Sequence, residues 1–270
     1  MTRAIALAAV PLALAGAAAA QEMLSMPAAT QPSPGVVIPR VQGRAYAFEG
    51  AQWLLEQDLR VEYGLARDLS VSVDLPLYEG FLDAPGQSDG RFGLGDLDAL
   101  VEWRFLREDL NAVDTVRASL FAGAEIPTGT GAYGGGSVDP CVGAVVTAIF
   151  GRHGIDASAR WTFVTGDGMD RPVFPSDTPE DFANLDLGYA YRLAPESYGE
   201  ERVAAWYATL ELSATVATGG AGHLVTIGPG LLLEAPDHAV EIGMQLPLSS
   251  DDDGRPALRA ALVLGLRLIF

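Results

Sequence analysis

The C-terminal part of the chain alternates between two kinds of side chain. From Leu258 to Phe270 every second residue is apolar, and the residues between them include Arg259 and Arg267. Successive side chains of a β-strand point to opposite faces, whereas a helix would distribute the two arginines around its circumference. The stretch therefore predicts a long strand with one wholly apolar face and one charged face.

The same alternation recurs throughout the chain after about residue 41. The other clear stretches lie near 97–105, 116–126, 155–163, 184–192, 204–216 and 240–248, and weaker ones near 41–49, 52–64, 69–78, 140–150 and 223–234. Together with the last strand they predict an antiparallel all-β protein of about twelve strands, roughly 10–14.

Alternation alone does not say which way the apolar face points. In a soluble sandwich it points inward, whereas in a membrane barrel it faces lipid and the polar face lines the lumen. Many of the strands have about ten residues, the length that a tilted strand needs to cross a bilayer, and their polar faces carry charges of both signs. We therefore predict a transmembrane β-barrel of the bacterial outer-membrane type, with a secreted soluble β-protein as the alternative.

The connections and the aromatic residues predict an orientation. Long connections near 78–95, 127–140 and 165–181 alternate with short ones near 64–69, 151–154 and 235–238. Bacterial barrels place long loops outside the cell and short turns in the periplasm. Aromatic residues on the apolar face end five of the strands that run toward the short turns, as an interfacial girdle would: Tyr63, Phe105, Phe150, Tyr191 and Phe270.

The N-terminus indicates export. Residues 1–20 have a charged start, a short apolar stretch and small residues at Ala18 and Ala20, which predicts a signal peptide. Residues 21–40 are rich in Pro, Ala and Ser and predict a flexible periplasmic lead-in, so the barrel is expected over residues 41–270. The single cysteine, Cys141, excludes an intramolecular disulfide.

Composition excludes two classes of protein. The chain has 17 basic and 35 acidic residues, for a net charge of −18, which excludes nucleic acid as a partner because phosphate binding needs a basic surface. Its hydrophobic fraction of 49% excludes a disordered polyanion.

Charges on the polar faces are the candidate functional residues. Charged side chains in a lumen determine the field and the width of any path through it. The candidate lumen-lining residues are Glu102, Arg104, Arg117, Glu125, Asp156, Arg160, Asp186, Arg192, Glu211, Glu241, Arg259 and Arg267. At the C-terminus we interpret Leu266, Leu268 and Phe270 as an assembly signal.

Other motifs favour no catalytic or cofactor chemistry. Gly129, Gly131 and Gly134 have the spacing of a dinucleotide-binding loop, but more glycine and a proline follow where a helix is needed. His153, His223 and His238 lack metal-ligand spacing, and Asp251–Asp253 lack the remaining ligands of a calcium loop. We predict no catalytic residue, no metal and no cofactor, and keep an outer-membrane hydrolase only as a minor alternative.

Three short motifs carry a resemblance to a known family. Residues 93–97 (GLGDL) open one strand, residues 124–129 (AEIPTG) close the next, and residues 63–65 (YGL) with 68–71 (DLSV) form the preceding hairpin. This arrangement resembles the outer-membrane proteins grouped under the MetA pathway of phenol degradation. The resemblance covers residues 40–270 and implies a transporter-like barrel for aromatic or other apolar small molecules, without catalytic or ligand residues to transfer.

The sequence thus leaves two main functional hypotheses. The first is a passive channel for small apolar or aromatic molecules in the outer membrane of a Gram-negative bacterium. The second is a structural or surface-interaction barrel plugged by its own side chains. Expected partners are outer-membrane lipids and lipopolysaccharide, the outer-membrane insertion machinery and a small-molecule solute.

Overall fold

The structure is a computed structural model, and it describes residue 23 and residues 26–81, 92–169, 172–198, 203–251 and 254–269. The predicted signal peptide, Asp252, Asp253 and Phe270 lie outside these residues. Three 3₁₀ turns of three residues each interrupt the connections, and no helix in these ranges is long and apolar enough to span a bilayer.

Strands dominate the described residues. They are β1 (Val37–Phe48), β2 (Trp53–Ala66), β3 (Leu69–Phe81), β4 (Phe92–Leu94), β5 (Leu97–Asp109), β6 (Thr115–Ile126), β7 (Asp139–Phe150), β8 (His153–Thr162), β9 (Phe182–Ala194), β10 (Ala205–Ala217), β11 (His223–Glu234), β12 (His238–Asp251) and β13 (Leu258–Leu268).

These strands close into one antiparallel barrel. Apart from β4, each strand pairs with the next one along the chain, and β13 returns to pair with β1 from Arg267 opposite Arg40 to Leu258 opposite Phe48. The short β4 pairs with β3 alone, and β5 resumes pairing with β3 two residues further on. Twelve strands therefore form the ring, which confirms the predicted architecture.

The two faces of the barrel wall differ in chemistry. Side chains that point outward are apolar and exposed, such as Leu187 and Leu264 at 51% each and Trp103 at 55%. Side chains that point inward include nearly all the buried charges of the wall, such as Arg104 and Glu241. A continuous exposed apolar surface of this extent marks a membrane contact, because a soluble protein would bury it.

The two ends of the barrel also differ. One end, the loop end, carries the connections 49–52, 82–91, 127–138, 163–181, 218–222 and 252–257. The other end, the turn end, carries the turns 67–68, 110–114, 151–152 and 235–237 and the longer connection 195–204. At the turn end, Tyr63, Phe105 and Phe150 are exposed and Tyr191 is half-buried.

Most of the described residues before Ser33 lie inside the barrel. Met23, Met26 and Ala29 are at most 1% exposed, and the two methionines pack against Tyr207 and Leu232 on the inner wall. A Cβ atom at Gly188 would approach the Met23 Cγ and Met26 Sδ atoms to 2.8 Å each, so glycine makes room for this segment. The expectation of a flexible lead-in over 21–40 is therefore corrected: Met23 and residues 26–36, here called the N-terminal segment, cross the interior, and β1 begins at Val37 rather than near residue 41.

The segment lies in the barrel because its few apolar side chains pack against apolar side chains of the inner wall. The Ala29 amide donates to the Thr147 hydroxyl at 2.9 Å, and the Gln31 side-chain amide donates to the Glu102 carbonyl oxygen at 3.1 Å. The Gly35 amide donates to the Gly64 carbonyl oxygen at 2.8 Å, where the segment joins β1. The backbone polar groups of an irregular segment need such partners when they are buried.

Candidate functional site in the barrel interior

Eleven of the twelve candidate residues predicted from the sequence lie on the inner wall of the barrel, and they form two groups by burial. Seven have buried side chains on the inner wall: Arg104, Arg117, Asp156, Arg192, Glu211, Glu241 and Arg267. Four are half-buried on the same wall: Glu102, Glu125, Arg160 and Asp186.

Arg259 differs from the others. The pairing of β1 with β13 shifts by one residue between Ala47 and Phe48, so that Ala47 opposes Ala260 while Phe48 opposes Leu258. This β-bulge reverses the alternation at the loop end of β13. Leu258 therefore lies in the interior at 7% exposed and Arg259 is exposed, contrary to the sequence expectation.

At the turn end the interior arginines make separate contacts, two with carboxylates and one with an aromatic ring. Arg40 donates from Nη2 to Glu241 Oε1 at 2.7 Å, and Gln42 Nε2 donates to the same oxygen at 2.7 Å. Arg104 Nη2 lies 2.9 Å from Asp68 Oδ1 in the β2–β3 turn. The Arg192 guanidinium stacks on the Tyr198 ring at 4.0 Å from its centroid.

Nearer the loop end two arginines each bridge two carboxylates. Arg44 Nη1 lies 2.5 Å from Asp58 Oδ2 and 3.3 Å from Glu56 Oε1. Arg160 Nη1 lies 2.5 Å from Asp98 Oδ2, and its Nη2 lies 3.1 Å from Glu125 Oε1. The first network lies on β1 and β2, and the second lies on β5, β6 and β8.

Sequence reasoning missed several of these residues. Arg40, Arg44, Glu56, Asp58 and Asp98 were not among the candidates, although every second residue from Glu56 to Glu62 is charged. That spacing is the signal that would have found them on β2. The apolar face of β2 is interrupted by Gln57, which makes the period-two alternation of this strand weaker than that of the others.

The described residues line at least two cavities in the interior. The first has a volume of about 250 Å³ and lies against the N-terminal segment at Met26–Ala28, with Arg60, Ser72 and Asp186 in its wall. The second has a volume of about 260 Å³, reaches Tyr78, Ser176 and Phe182 near the loop end, and shares Arg44, Asp58, Asp74 and Asp98 with the first. The shared residues show that the two cavities adjoin.

An aromatic cluster covers the inner wall at the loop end. Tyr46 and Phe48 of β1 pack against Phe174 with ring centroids 5.0 and 6.1 Å away, and Tyr78 stacks on Tyr133 at 5.0 Å. Phe174 belongs to the connection 163–181, which therefore folds into the mouth of the barrel.

Asp177 fixes that inward fold. Its carboxylate accepts hydrogen bonds from the Val173 and Phe174 amides at 2.8 and 2.9 Å. Burial raises the pKa of the Asp177 carboxyl above its usual range. The inward connection thus places an acidic group and an aromatic ring together at the mouth.

Two of the motifs that carry the family resemblance, residues 93–97 and 124–129, meet in space. Asp96 accepts hydrogen bonds from the Gly129 amide at 2.7 Å and the Gly135 amide at 2.6 Å, and Thr130 Oγ1 accepts one from the Leu94 amide at 2.9 Å. The glycine-rich segment 129–136 is thus a loop held by hydrogen bonds to the Asp96 carboxylate. Its only helical part is the three-residue turn Gly131–Tyr133, so a dinucleotide site is excluded.

The histidines do not assemble a catalytic group. His153 contacts the Tyr189 hydroxyl, His238 contacts Asp237 and His223 Nε2 lies 2.8 Å from Ser249 Oγ. For the last pair, no described carboxylate is hydrogen-bonded to the other ring nitrogen of His223, as a triad would require. Among the described residues no group of three or more His, Cys, Asp and Glu side chains is arranged to hold a metal ion.

An apolar outer surface around a closed ring with a charged interior defines the class of outer-membrane β-barrels. No protein-family model matches the sequence, and no curated protein matches it. The comparison with solved structures does find relatives of the fold.

The chain is similar to the COG4313 outer membrane channel from Pseudomonas putida F1, with a TM-score of 0.60 and 14% sequence identity over 88% of this chain and 97% of that chain. The NanC porin matches with a TM-score of 0.46 and 12% identity over 86% of this chain and 98% of that one. The β domain of the Bordetella autotransporter BrkA matches with a TM-score of 0.46 and 12% identity over 88% and 100%. The first likeness establishes a fold shared with an outer-membrane channel.

Proposed function

We propose that the protein is a passive channel of the outer membrane for small solutes. The observation that carries this proposal is the pair of adjoining cavities inside a closed barrel, together spanning from the loop-end mouth to the N-terminal segment. Charged walls keep such a space hydrated, and a hydrated lumen is what diffusion needs. No cofactor or energy source is required.

We further propose that the favoured solutes have an apolar or aromatic body. Support comes from the cluster of Tyr46, Phe48, Tyr78, Tyr133 and Phe174 at the mouth, where aromatic rings offer contacts to an entering ring. Membership of the MetA-pathway family is part of the same proposal and rests on the motifs joined through Asp96.

The cellular setting belongs to the proposal as well. We place the barrel in a Gram-negative outer membrane after removal of residues 1–20, with the turn end in the periplasm and lipopolysaccharide around the loop end. Leu266, Leu268 and Phe270 are proposed as the assembly signal for the insertion machinery. Leu266 is exposed and Leu268 half-buried at the turn end of β13.

A second candidate function is a plugged barrel that only displays its loops. The observation that favours it is the N-terminal segment, which covers the turn end of the first cavity with Met26, Pro27 and Ala28. In a channel this segment must shift or leave a path beside it, whereas in a plug it stays in place.

Planar-bilayer conductance and liposome swelling separate the two functions. Purified protein whose barrel is shown to be folded by its heat-modifiable gel mobility is tested with aromatic and sugar solutes of matched size. The channel proposal expects ion conductance and faster entry of the aromatic solute. Absence of flux for every solute and ion would contradict it and favour the plugged barrel.

A further inference from the structure

The carboxylates of the interior are unevenly distributed along the barrel. The second cavity is lined by seven acidic side chains and one basic one, Arg44. The first cavity, closer to the turn end, is lined by six acidic side chains and four arginines. Closer to the turn end, the buried arginines Arg104, Arg117, Arg192 and Arg267 are matched in number by the buried acidic residues Asp156, Glu211, Glu234 and Glu241, so the two signs of charge balance there. Negative charge is therefore concentrated on the loop-end half of the interior.

The excess persists when the ion pairs found among the described residues of this cavity are counted. Arg160 neutralises one charge of the Asp98–Glu125 pair, and Arg60, whose Nε lies 4.0 Å from Asp74 Oδ2, neutralises another. With every carboxyl counted as ionised, three arginines then face seven carboxylates, which is a formal net charge of 3 − 7 = −4 around the second cavity. Asp74 and Asp98 each also keep a buried Oδ1 atom without a hydrogen-bond partner.

The same cavity has aromatic walls. Tyr78 and Phe182 line it beside the carboxylates, and Phe174 packs at its mouth on Tyr46. Carboxylates attract positive charge, and aromatic faces bind cations and apolar rings alike. A solute that carries an ammonium group on an aromatic or apolar body matches both features, whereas a carboxylate of the same size is repelled.

We propose that the loop-end half of the interior selects for cations, and that the favoured solutes are small organic ammonium compounds with an apolar or aromatic body. This inference rests on the proposed channel function and adds the charge of the solute. The fixed arginines neutralise only part of the negative charge of the carboxylates, so mobile cations are attracted to the second cavity. Anions are repelled from the same volume.

Bi-ionic reversal potentials test the inference with the full-length mature chain in planar bilayers. Benzylammonium and benzoate share a ring and a similar size and differ in the sign of their charge. We expect the channel to prefer benzylammonium to benzoate and K⁺ to Cl⁻, and the preference to weaken as salt screens the wall charges.

A triple variant removes charge while preserving size. In recordings at about pH 9, where the three replaced carboxyls are ionised in the wild type, Glu56→Gln, Asp74→Asn and Glu125→Gln should lower the cation-to-anion permeability ratio by roughly threefold or more, because the second cavity loses most of its excess negative charge. The matched control is Glu49→Gln, Glu196→Gln and Asp251→Asn, which makes the same change in net charge at exposed positions outside the cavities and should keep the ratio.

The outcomes distinguish the two levels of the proposal. Conductance without cation preference, or a wild-type ratio retained by the folded triple variant, would overturn the charge selectivity and leave the channel function standing. Absence of any conductance would contradict the channel function and this inference with it. If the triple variant does not fold, the wild-type ratio and its decrease with salt decide alone: a ratio at or below unity overturns the inference.

Discussion

Leu264 and Val263 are neighbours in sequence and lie on opposite sides of the barrel wall. Leu264 is 51% exposed on the outer surface, whereas Val263 is 1% exposed in the interior. The physical difference between the two sides is the solvent: hydrocarbon outside, and protein side chains with water inside. The loss in free energy of unfolding caused by a charged substitution therefore shows which side of the wall the substituted residue occupies.

Leu264→Arg tests the facing of the wall at the scale of one residue. A charge placed on the lipid side near the midplane should reduce the free energy of unfolding by about 2–4 kcal/mol. The measurement is urea unfolding of the barrel in lipid vesicles. Ser72→Arg is the control, since Ser72 lines the first cavity and the guanidinium can remain hydrated there. Equal losses at Leu264 and Ser72 would contradict the facing.

At the scale of an element, the N-terminal segment is the part that a sequence pattern could not place. Its Pro, Ala and Ser content is typical of a flexible segment, but Met23, Met26 and Ala29 are buried in apolar clusters inside the barrel. Those contacts depend on where β9–β12 bring Ala190, Tyr207 and Leu232 together, which is long-range information.

Deleting residues 23–35 should increase conductance. The segment covers the turn end of the first cavity, so its removal opens a wider path while the strands from Val37 onward keep their pairing. Single-channel recording of the deletion variant and of the full chain measures the change, with heat-modifiable mobility as the check on folding. Gly188→Val is a milder variant that displaces Met23 and Met26 and should change conductance in the same direction. Unchanged conductance in both variants would show that the segment does not limit the path.

A turn of the barrel carries a pH-dependent contact. Asp114 accepts hydrogen bonds from the Gly151 amide at 2.6 Å and from Asn111 Nδ2 at 2.7 Å, so it ties the β5–β6 turn to the β7–β8 turn. The Gly151 hydrogen bond lowers the pKa of the Asp114 carboxyl below its usual range. Its stabilising contribution is therefore present above the unfolded-state pKa and is lost as the pH falls through the folded-state pKa.

Asp114→Asn should lower the urea midpoint at neutral pH, and the difference from the wild type should vanish at acid pH. Urea unfolding measured across a pH series tests this expectation. Glu196→Gln, at an exposed carboxylate on the same end, should show no such trend. A difference between Asp114→Asn and the wild type that does not change with pH would contradict the assigned role.

Period-two alternation predicted most strands to within a few residues because it is a local consequence of strand geometry. It failed at Arg259, where a bulge set by pairing with β1 reverses the faces of β13. It also could not separate β4 from β5, since the break at Gly95 and Asp96 depends on the hydrogen bonds from the 129–135 loop to Asp96. Bulges and loop contacts are properties of paired elements and leave little trace in one strand's sequence.

At the scale of the whole molecule, the sequence predicts that charged side chains line the interior, but it does not predict which of them pair with one another. Inward charges follow from the polar face of each strand, whereas their pairing follows from the register between strands distant in sequence. Arg160 with Asp98 and Arg40 with Glu241 join residues 62 and 201 positions apart. The concentration of carboxylates at the loop end emerges only when all strands are assembled.

The central claim is that the apolar surface of the barrel contacts lipid. All four tryptophans of the chain are exposed on that surface, Trp53 and Trp161 toward the loop end and Trp103 and Trp206 toward the turn end. Intrinsic tryptophan fluorescence in vesicles of brominated lipid measures the contact directly, because bromine quenches only tryptophans that touch the acyl chains. We expect strong quenching relative to vesicles of unbrominated lipid. Fluorescence that is the same in both, with the folded protein recovered in the aqueous phase, would contradict the account.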